Sequence, residues 1–344
     1  MPDAGIQARA TIVVTTRERF ALARESLVSL LENTQRPFDL IYVVPADAPR
    51  SERRWLADMV RQHNFAIVKP TRPTTPAEAR NLGLAQAKTE YVVFVENDVV
   101  FEKGWLEALV ACADDTGADV VGPLTCEGRP AHTLVHHVGA PAAADEPFAA
   151  TMGGEHDFRE EFHLQGARRE QLADRLTRRR TQWPEMHCFL TRRVLFDRIG
   201  GFDPDVVSKE YLDFAWSVRA DGGEIWFEPK AVVTFLVPSE ADPVTFKDLG
   251  YFLLRWSRAW QAASHDKLRT KWALTEAGFI ASRRALADWR ILDHVVKPCL
   301  QQVPVLGRRW GFVERAAKIV APVFLLASSL LAWRYAQARR LSEA

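Results

Sequence analysis

The sequence predicts an α/β fold with a mostly parallel central sheet flanked by helices, followed by a helical C-terminal region. Three observations predict it. Short runs rich in Val, Ile and Phe alternate with segments of helical periodicity through the first half, as strands joined by helical crossovers do. The alternation returns at 186–229 after an irregular stretch, and from Phe246 onward the periodicity is helical.

In order, Thr11 to Thr15 (TIVVT) is the first strand, and Arg19 to Leu31 is helical, with Phe20, Leu27, Leu30 and Leu31 on one face. Leu40 to Val44 and Phe65 to Val68 are the next two strands. Thr75-Pro76-Ala77-Glu78 then starts a helix: Thr caps it, Pro suits its first position, and Glu reaches back from the third. Arg80, Asn81 and Gly83 follow inside it, and its free amides offer a seat for a diphosphate. The run Tyr91 to Trp105, YVVFVENDVVFEKGW, is a buried strand that breaks at Glu96-Asn97-Asp98 and resumes. Carboxylates there are costly if buried alone, so they belong at a strand mouth facing a cation or polar ligand. The plainer reading is an ordinary strand-to-turn exit. A helix at Trp105 to Ala113 and a strand at Ala118 to Pro123 complete this half.

From Glu127 to Trp183 the regularity fails, which marks a long insertion of the functional or mobile kind. It holds His132, His136, His137, His156 and His163, and the arginines 168, 169, 175, 178, 179 and 180. The histidines lack ligand spacing and read first as surface or packing residues; the arginines read as a solvated helix face or as a contact to a phosphorylated or lipid-linked acceptor. Residues 186–229 then run strand, short helix, Gly-Gly turn, helix, strand. Ser208 is placed to cap the helix carrying Glu210 and Asp213, which share a face, and Gly222-Gly223 ends it. In the tail, Tyr251, Phe252, Leu254, Trp256 and Trp260 form an aromatic-rich amphipathic stretch. Ile319 to Trp333 is the most hydrophobic segment, short for a bilayer span and interrupted by Pro322. It fits an interfacial helix at 316–336, or a buried core helix or dimer contact.

The chain has 344 residues, 47% hydrophobic and 26% charged, with a formal net charge of +1. This is a globular composition with no global basic excess, so no nucleic-acid partner is expected. Cys112, Cys126, Cys188 and Cys299 show no metal-ligand spacing and the N-terminus shows no secretory signal, so the expected compartment is the cytoplasm.

Taken together, TIVVTTRER, AEARNLGLAQAKTEYVVFVENDV and FDRIGGFDPDVVSKEYLDFAWSVRADG followed by IWFEP resemble, in content and order, the family 2 glycosyltransferases of GT-A fold, from about residue 10 to 260. The resemblance implies a GT-A domain at 8–245, comprising a nucleotide-binding half at 8–125, an insertion at 127–183 and an acceptor half at 184–245. A helical region at 246–344, membrane-associated in one reading, would follow. It implies an inverting transferase that moves a sugar from a nucleotide diphosphate donor to a hydroxyl of a glycan or lipid-linked glycan, with Mg²⁺ or Mn²⁺ as cofactor. Such an enzyme would sit in the cytoplasm, peripheral at the inner membrane face. Glu96-Asn97-Asp98 matches the acidic motif that holds the cation, with Asp98 as the metal ligand and Glu96 as a donor-binding neighbour. Thr15, Thr16 and Glu18 match the loop that meets the nucleotide, Arg80 and Asn81 the helix beneath it, and Asp47 the residue that reads the base.

The chain departs from the family at three places. Pro45-Ala46-Asp47 stands where relatives often show paired aspartates. Glu210-Tyr211-Leu212-Asp213-Phe214 replaces a Glu-Asp pair, leaving Glu210, ranked first, and Asp213 as candidate catalytic bases. Val232-Val233-Thr234-Phe235 lacks the histidine that often completes the metal site. These departures keep a second reading open, a transferase-like domain that binds nucleotide sugar or glycan without transfer. A sugar nucleotidyltransferase is disfavoured because no Gly-rich phosphate loop follows the first strand.

Overall fold

The computed structural model describes residues 7–16, 20–46, 48–139, 164–236, 244–274, 286–304 and 309–343. Its centre is a 10-stranded mixed sheet. Strands β1 (Ala10–Thr15), β2 (Phe38–Val43), β3 (Ala66–Val68) and β4 (Tyr91–Glu96) are parallel, in the order β3-β2-β1-β4. They are joined through α1 (Ala23–Asn33), α2 (Arg50–His63) and α3 (Pro76–Leu84). The sequence reading missed α2, although its Trp55, Leu56, Met59 and Val60 share one face toward the core.

Beyond β4 the sheet is mixed. Strand β5 (Val99–Phe101) and helix α4 (Trp105–Thr116) lead to β6 (Val120–Glu127) and β7 (Leu134–His137). The two-residue β8 (Arg179–Arg180) precedes β9 (Cys188–Arg192), α5 (Leu195–Ile199), α6 (Glu210–Ala220) and β10 (Ile225–Phe235). Strand β9 lies antiparallel between β4 and β6, and β10 runs parallel to β6 and antiparallel to β5.

Both faces of the sheet are covered, which explains the unbroken apolar runs. Ile12, Val14, Tyr91, Val93 and Val95 pack on one side with Leu27, Trp105 and Leu109. Val13, Val92 and Phe94 pack on the other with Phe189, Phe196, Phe202 and Phe214. Helix α3 sits close to β1 because of Gly83: a Cβ there would lie 2.2 Å from Val13 Cγ1.

The tail comprises α7 (Phe246–Arg255), α8 (Arg258–Trp272), a π-helical turn at Leu292–Val296 running into α9 (Lys297–Gln301), and the long α10 (Trp310–Glu343). Phe252 and Leu253 of α7, with Trp256 just past its end, share a cluster with Ala317, Val320 and Phe324 of α10. Asp248 Oδ1 accepts from Phe20 N at 2.7 Å, tying the tail to the sheet domain.

Candidate active site

The acidic motif sits at the mouth of the parallel strands, as its sequence context requires. Thr15 is in register with Glu96. Asn97 N donates to Thr15 O at 3.1 Å, Glu96 N to His187 O at 2.9 Å, and Leu236 N to Asp98 O at 2.7 Å. The turn is thus pinned by β1, β10 and the residue entering β9. Glu96, Asn97 and Asp98 are buried.

A buried carboxylate needs a counter-charge. Arg80, on α3 behind β1 and β4, places Nη2 2.8 Å from Glu96 Oε1, with both side chains 1% exposed. Its Nη1 lies 3.8 Å from Glu210 Oε1, and Arg255 Nη2 of α7 lies 3.7 Å from that same oxygen. Charges of alternating sign therefore run Arg255, Glu210, Arg80, Glu96 through the protein. Arg80 thereby joins the acidic motif to the start of α6. Glu78, on the same helix, is held by Arg72 at 2.7 Å.

The Glu96 and Asp98 carboxylates and His187 bring one ligand atom each within 4.8 Å of one another. His187 Nε2 is 3.5 Å from Glu96 Oε2 and Nδ1 is 2.7 Å from Glu185 Oε2. A carboxylate behind a ligating imidazole fixes the ring's orientation and raises its basicity. Burial would raise the Glu185 carboxyl, but the charge and hydrogen bond of His187, with the charge of His136, hold it below the ordinary range. The ring of Phe235 stacks on His187 with centroids 4.2 Å apart. The end of β10, which lacks the histidine the resemblance implies, thus supports a histidine at the entry to β9.

Of the sequence-selected residues, Thr15, Arg80, Glu96, Asp98 and Glu210 converge here. Thr16 is buried beside them and shares a hydrogen bond with Tyr42, whose phenol is pushed up by burial. Asn81 turns away: its Nδ2 donates to Phe202 O and its Oδ1 accepts from Phe202 N, both at 2.8 Å, so its amide fastens α3 to the Gly201 loop. Asp213 also turns away, accepting from Lys271 Nζ at 3.0 Å and Trp272 Nε1 at 2.8 Å of α8. Glu18 and Asp47 lie outside the described residues, as do His156 and His163.

Three local expectations are corrected. The α3 N-terminus has its capping box, but Glu78 fills it and Tyr335 of α10 donates to Glu78 at 3.0 Å, leaving no seat for a diphosphate. Ser208 does not cap α6; it exchanges hydrogen bonds with Ser264, and the cap position falls to Lys209 in left-handed conformation. The insertion arginines are a solvated face only in part: Arg168, Arg175 and Arg180 are exposed, and ion pairs hold part of the run. Arg169 pairs with Glu102, Arg178 with Glu228 and Asp115, and Arg180 with Glu224.

Sequence reasoning missed His187, Glu185 and Arg255. His187 carried a usable signal, since it opens the strand read at MHCFL. Arg255 carried none, being one cation in an apolar stretch.

Residues 11–200 match the family model described as Glycosyl transferase family 2. A pre-mycofactocin glycosyltransferase of Mycobacterium tuberculosis is 26% identical over 158 residues, 46% of this chain and 29% of that protein. Uncharacterized protein y4gI of Sinorhizobium fredii is 24% identical over 224 residues, 63% of this chain and 23% of that protein. The match thus spans less than a third of the length of either curated relative. Among solved structures, GalNAc-T7 with UDP, GalNAc and Mn²⁺ aligns at a TM-score of 0.52 and 14% identity, covering 88% of this chain and 59% of that one. The likeness is one of fold, the GT-A fold.

Proposed function

Because this chain belongs to glycosyl transferase family 2, we propose that it transfers a sugar, with inversion, from a nucleotide diphosphate donor to a hydroxyl of a glycan or lipid-linked glycan. The observation that carries this reading is the buried bridge from Glu96 through Arg80 to Glu210, which puts a carboxylate at the start of α6 in electrical contact with the acidic turn. A transferase needs both ends at once: charge control at the leaving diphosphate and a base at the acceptor.

Two carboxylates and one imidazole form a donor set suited to a divalent cation. The mixed oxygen and nitrogen set favours Mn²⁺ over Mg²⁺, which prefers all-oxygen octahedra. When bound, the ion supplies positive charge against the leaving diphosphate. Asp98, Glu96 Oε2 and His187 Nε2 are the proposed ligands. Arg80 engages Glu96 Oε1 and leaves the other oxygen toward the cluster. Thr15 and Thr16 border the proposed donor site. The UDP and Mn²⁺ of the GalNAc-T7 structure agree with this donor and metal class.

Glu210 is the proposed base, because both Asp213 oxygens are engaged by α8. The acceptor hydroxyl gives its proton to Glu210, its oxygen bonds to the anomeric carbon, and the bond to the diphosphate breaks with its electrons leaving on the phosphate. Arg80 and Arg255 flank the Glu210 carboxylate.

The competing reading, binding without transfer, draws on Tyr211 at the family's carboxylate position and on the two arginines beside Glu210. Release of nucleoside diphosphate from a panel of nucleotide sugars with Mn²⁺ separates the two. Turnover that disappears in Glu210→Gln supports transfer. Mn²⁺-dependent binding of the diphosphate with no release from any donor supports the binder.

A further inference from the structure

One face of α10 is apolar and open to solvent. Ile319, Val323, Leu326, Leu330 and Trp333 are 77, 66, 66, 48 and 61% exposed. Their alternating spacing of four and three residues makes one stripe about 21 Å long. The opposite face is already committed. Val313, Ala317, Ala332 and Tyr335 are buried, Ser328 Oγ donates to Leu253 O at 2.7 Å, and Arg339 donates to Asp205 at 2.6 Å.

The segment Gly311–Arg340 is long and apolar enough to cross a bilayer, its most apolar stretch of 18 residues having a mean hydropathy of 1.8. Crossing would require stripping the committed face from α7 and α8 and placing its polar groups in hydrocarbon. The helix therefore meets its partner side-on, along the stripe.

Two partners fit an exposed apolar stripe: a second copy of the chain, since this spacing is that of a coiled-coil seam, or a lipid surface. The charges decide between them. Across residues 311–340 the exposed charged side chains are Arg315, Lys318, Arg334 and Arg340, all basic, and none forms an ion pair among the described residues. Arg315 and Lys318 lie toward one end of the stripe, Arg334 and Arg340 toward the other. A parallel helix pair would set each basic end against itself, and an antiparallel pair would set one basic end against the other. The positions flanking the seam, Arg315, Pro322 and Ser329 on one side and Val320, Ala327 and Arg334 on the other, offer no acid to relieve the repulsion. An anionic bilayer relieves it at both ends. Aliphatic side chains lie between the basic groups, and the aromatic rings of Phe312 and Trp333 stand near the ends, at headgroup depth.

We propose that the outward face of α10 is an interfacial anchor that seats this chain on an anionic lipid bilayer. The anchor is independent of the sugar-transfer reading, and its readout is binding. In flotation assays the full chain is expected to rise with vesicles of phosphatidylcholine mixed with phosphatidylglycerol, and not with phosphatidylcholine alone, with partition falling as salt is added. Arg315→Gln combined with Lys318→Gln should lower partition about thirtyfold. Leu326→Glu combined with Leu330→Glu should abolish it at an unchanged melting temperature, because both positions are exposed. Absence of anionic-vesicle binding, or binding that survives Leu326→Glu with Leu330→Glu, overturns the proposal. A dimer in light scattering that this double variant dissolves, without vesicle binding, makes a second copy the occupant instead.

Discussion

Arg80 Nη2 stands 2.8 Å from Glu96 Oε1 with each side chain 1% exposed, so the two residues form an ion pair almost wholly withdrawn from water. Such a pair contributes little net stability relative to an apolar pair, yet removing one member strands the other charge. Helix α3 is brought into range by Gly83 and fastened by Asn81, so the packing of that helix governs the charge at the acidic turn.

Arg80→Met is accordingly expected to destabilise the fold by about 3–5 kcal/mol. Glu96→Gln in the same background should restore part of the loss. A double-mutant cycle in urea measures the coupling; strictly additive effects would show that the pair does not interact energetically.

Glu185→Gln should weaken Mn²⁺ binding about tenfold to a hundredfold by loosening the support of His187, and His187→Ala should weaken it further. Calorimetric titration of Mn²⁺ in the presence of a nucleoside diphosphate reads both. Affinities equal to the parent's would remove His187 from the metal site.

The two carboxylates of α6 should separate cleanly in kinetics. Glu210→Gln removes the proposed base and should lower kcat by about 10²–10⁴. Asp213→Asn keeps an acceptor for Trp272 and loses the Lys271 charge pair, so its cost should fall on stability, by about 1 kcal/mol, with kcat largely retained. The reverse pattern would reassign the base.

Burial pushes the His137 imidazole down to about 4, against an unfolded value of about 6.5. The unfolded chain therefore binds the extra proton first as pH falls. Stability is fully present above about pH 6.5 and is lost as pH drops toward about 4, by about 3 kcal/mol in total. His137→Gln should flatten that part of the profile, as read from urea midpoints at successive pH values; an unaltered slope would locate the titration elsewhere.

Gly83→Ala would press a methyl group into Val13 and lift α3 from β1, at a cost of about 1–3 kcal/mol. Val13→Ala should relieve it. If the single variant melts with the parent, the close approach of α3 is not needed to seat Arg80.

Much of this molecule was legible in its chain. Strands that run parallel and are covered on both faces must be apolar throughout, so β1, β2 and β4 announced themselves, and the Thr75 capping box announced α3 because its hydrogen bonds are local. The acidic interruption at 96–98 was equally visible, since charge at the end of a buried strand demands a partner. Which partner it has was decided only by tertiary packing. His187 reaches Asp98 because β9 inserts antiparallel beside β4, and Arg255 reaches Glu210 because the C-terminal helices fold back over the site. The hydrogen-bond partners of Asn81 and Asp213, distant in sequence, were fixed the same way. Local hydrogen bonds and periodicity are written in neighbouring residues; the pairing of buried charges is set by long-range contacts that no short stretch of sequence encodes.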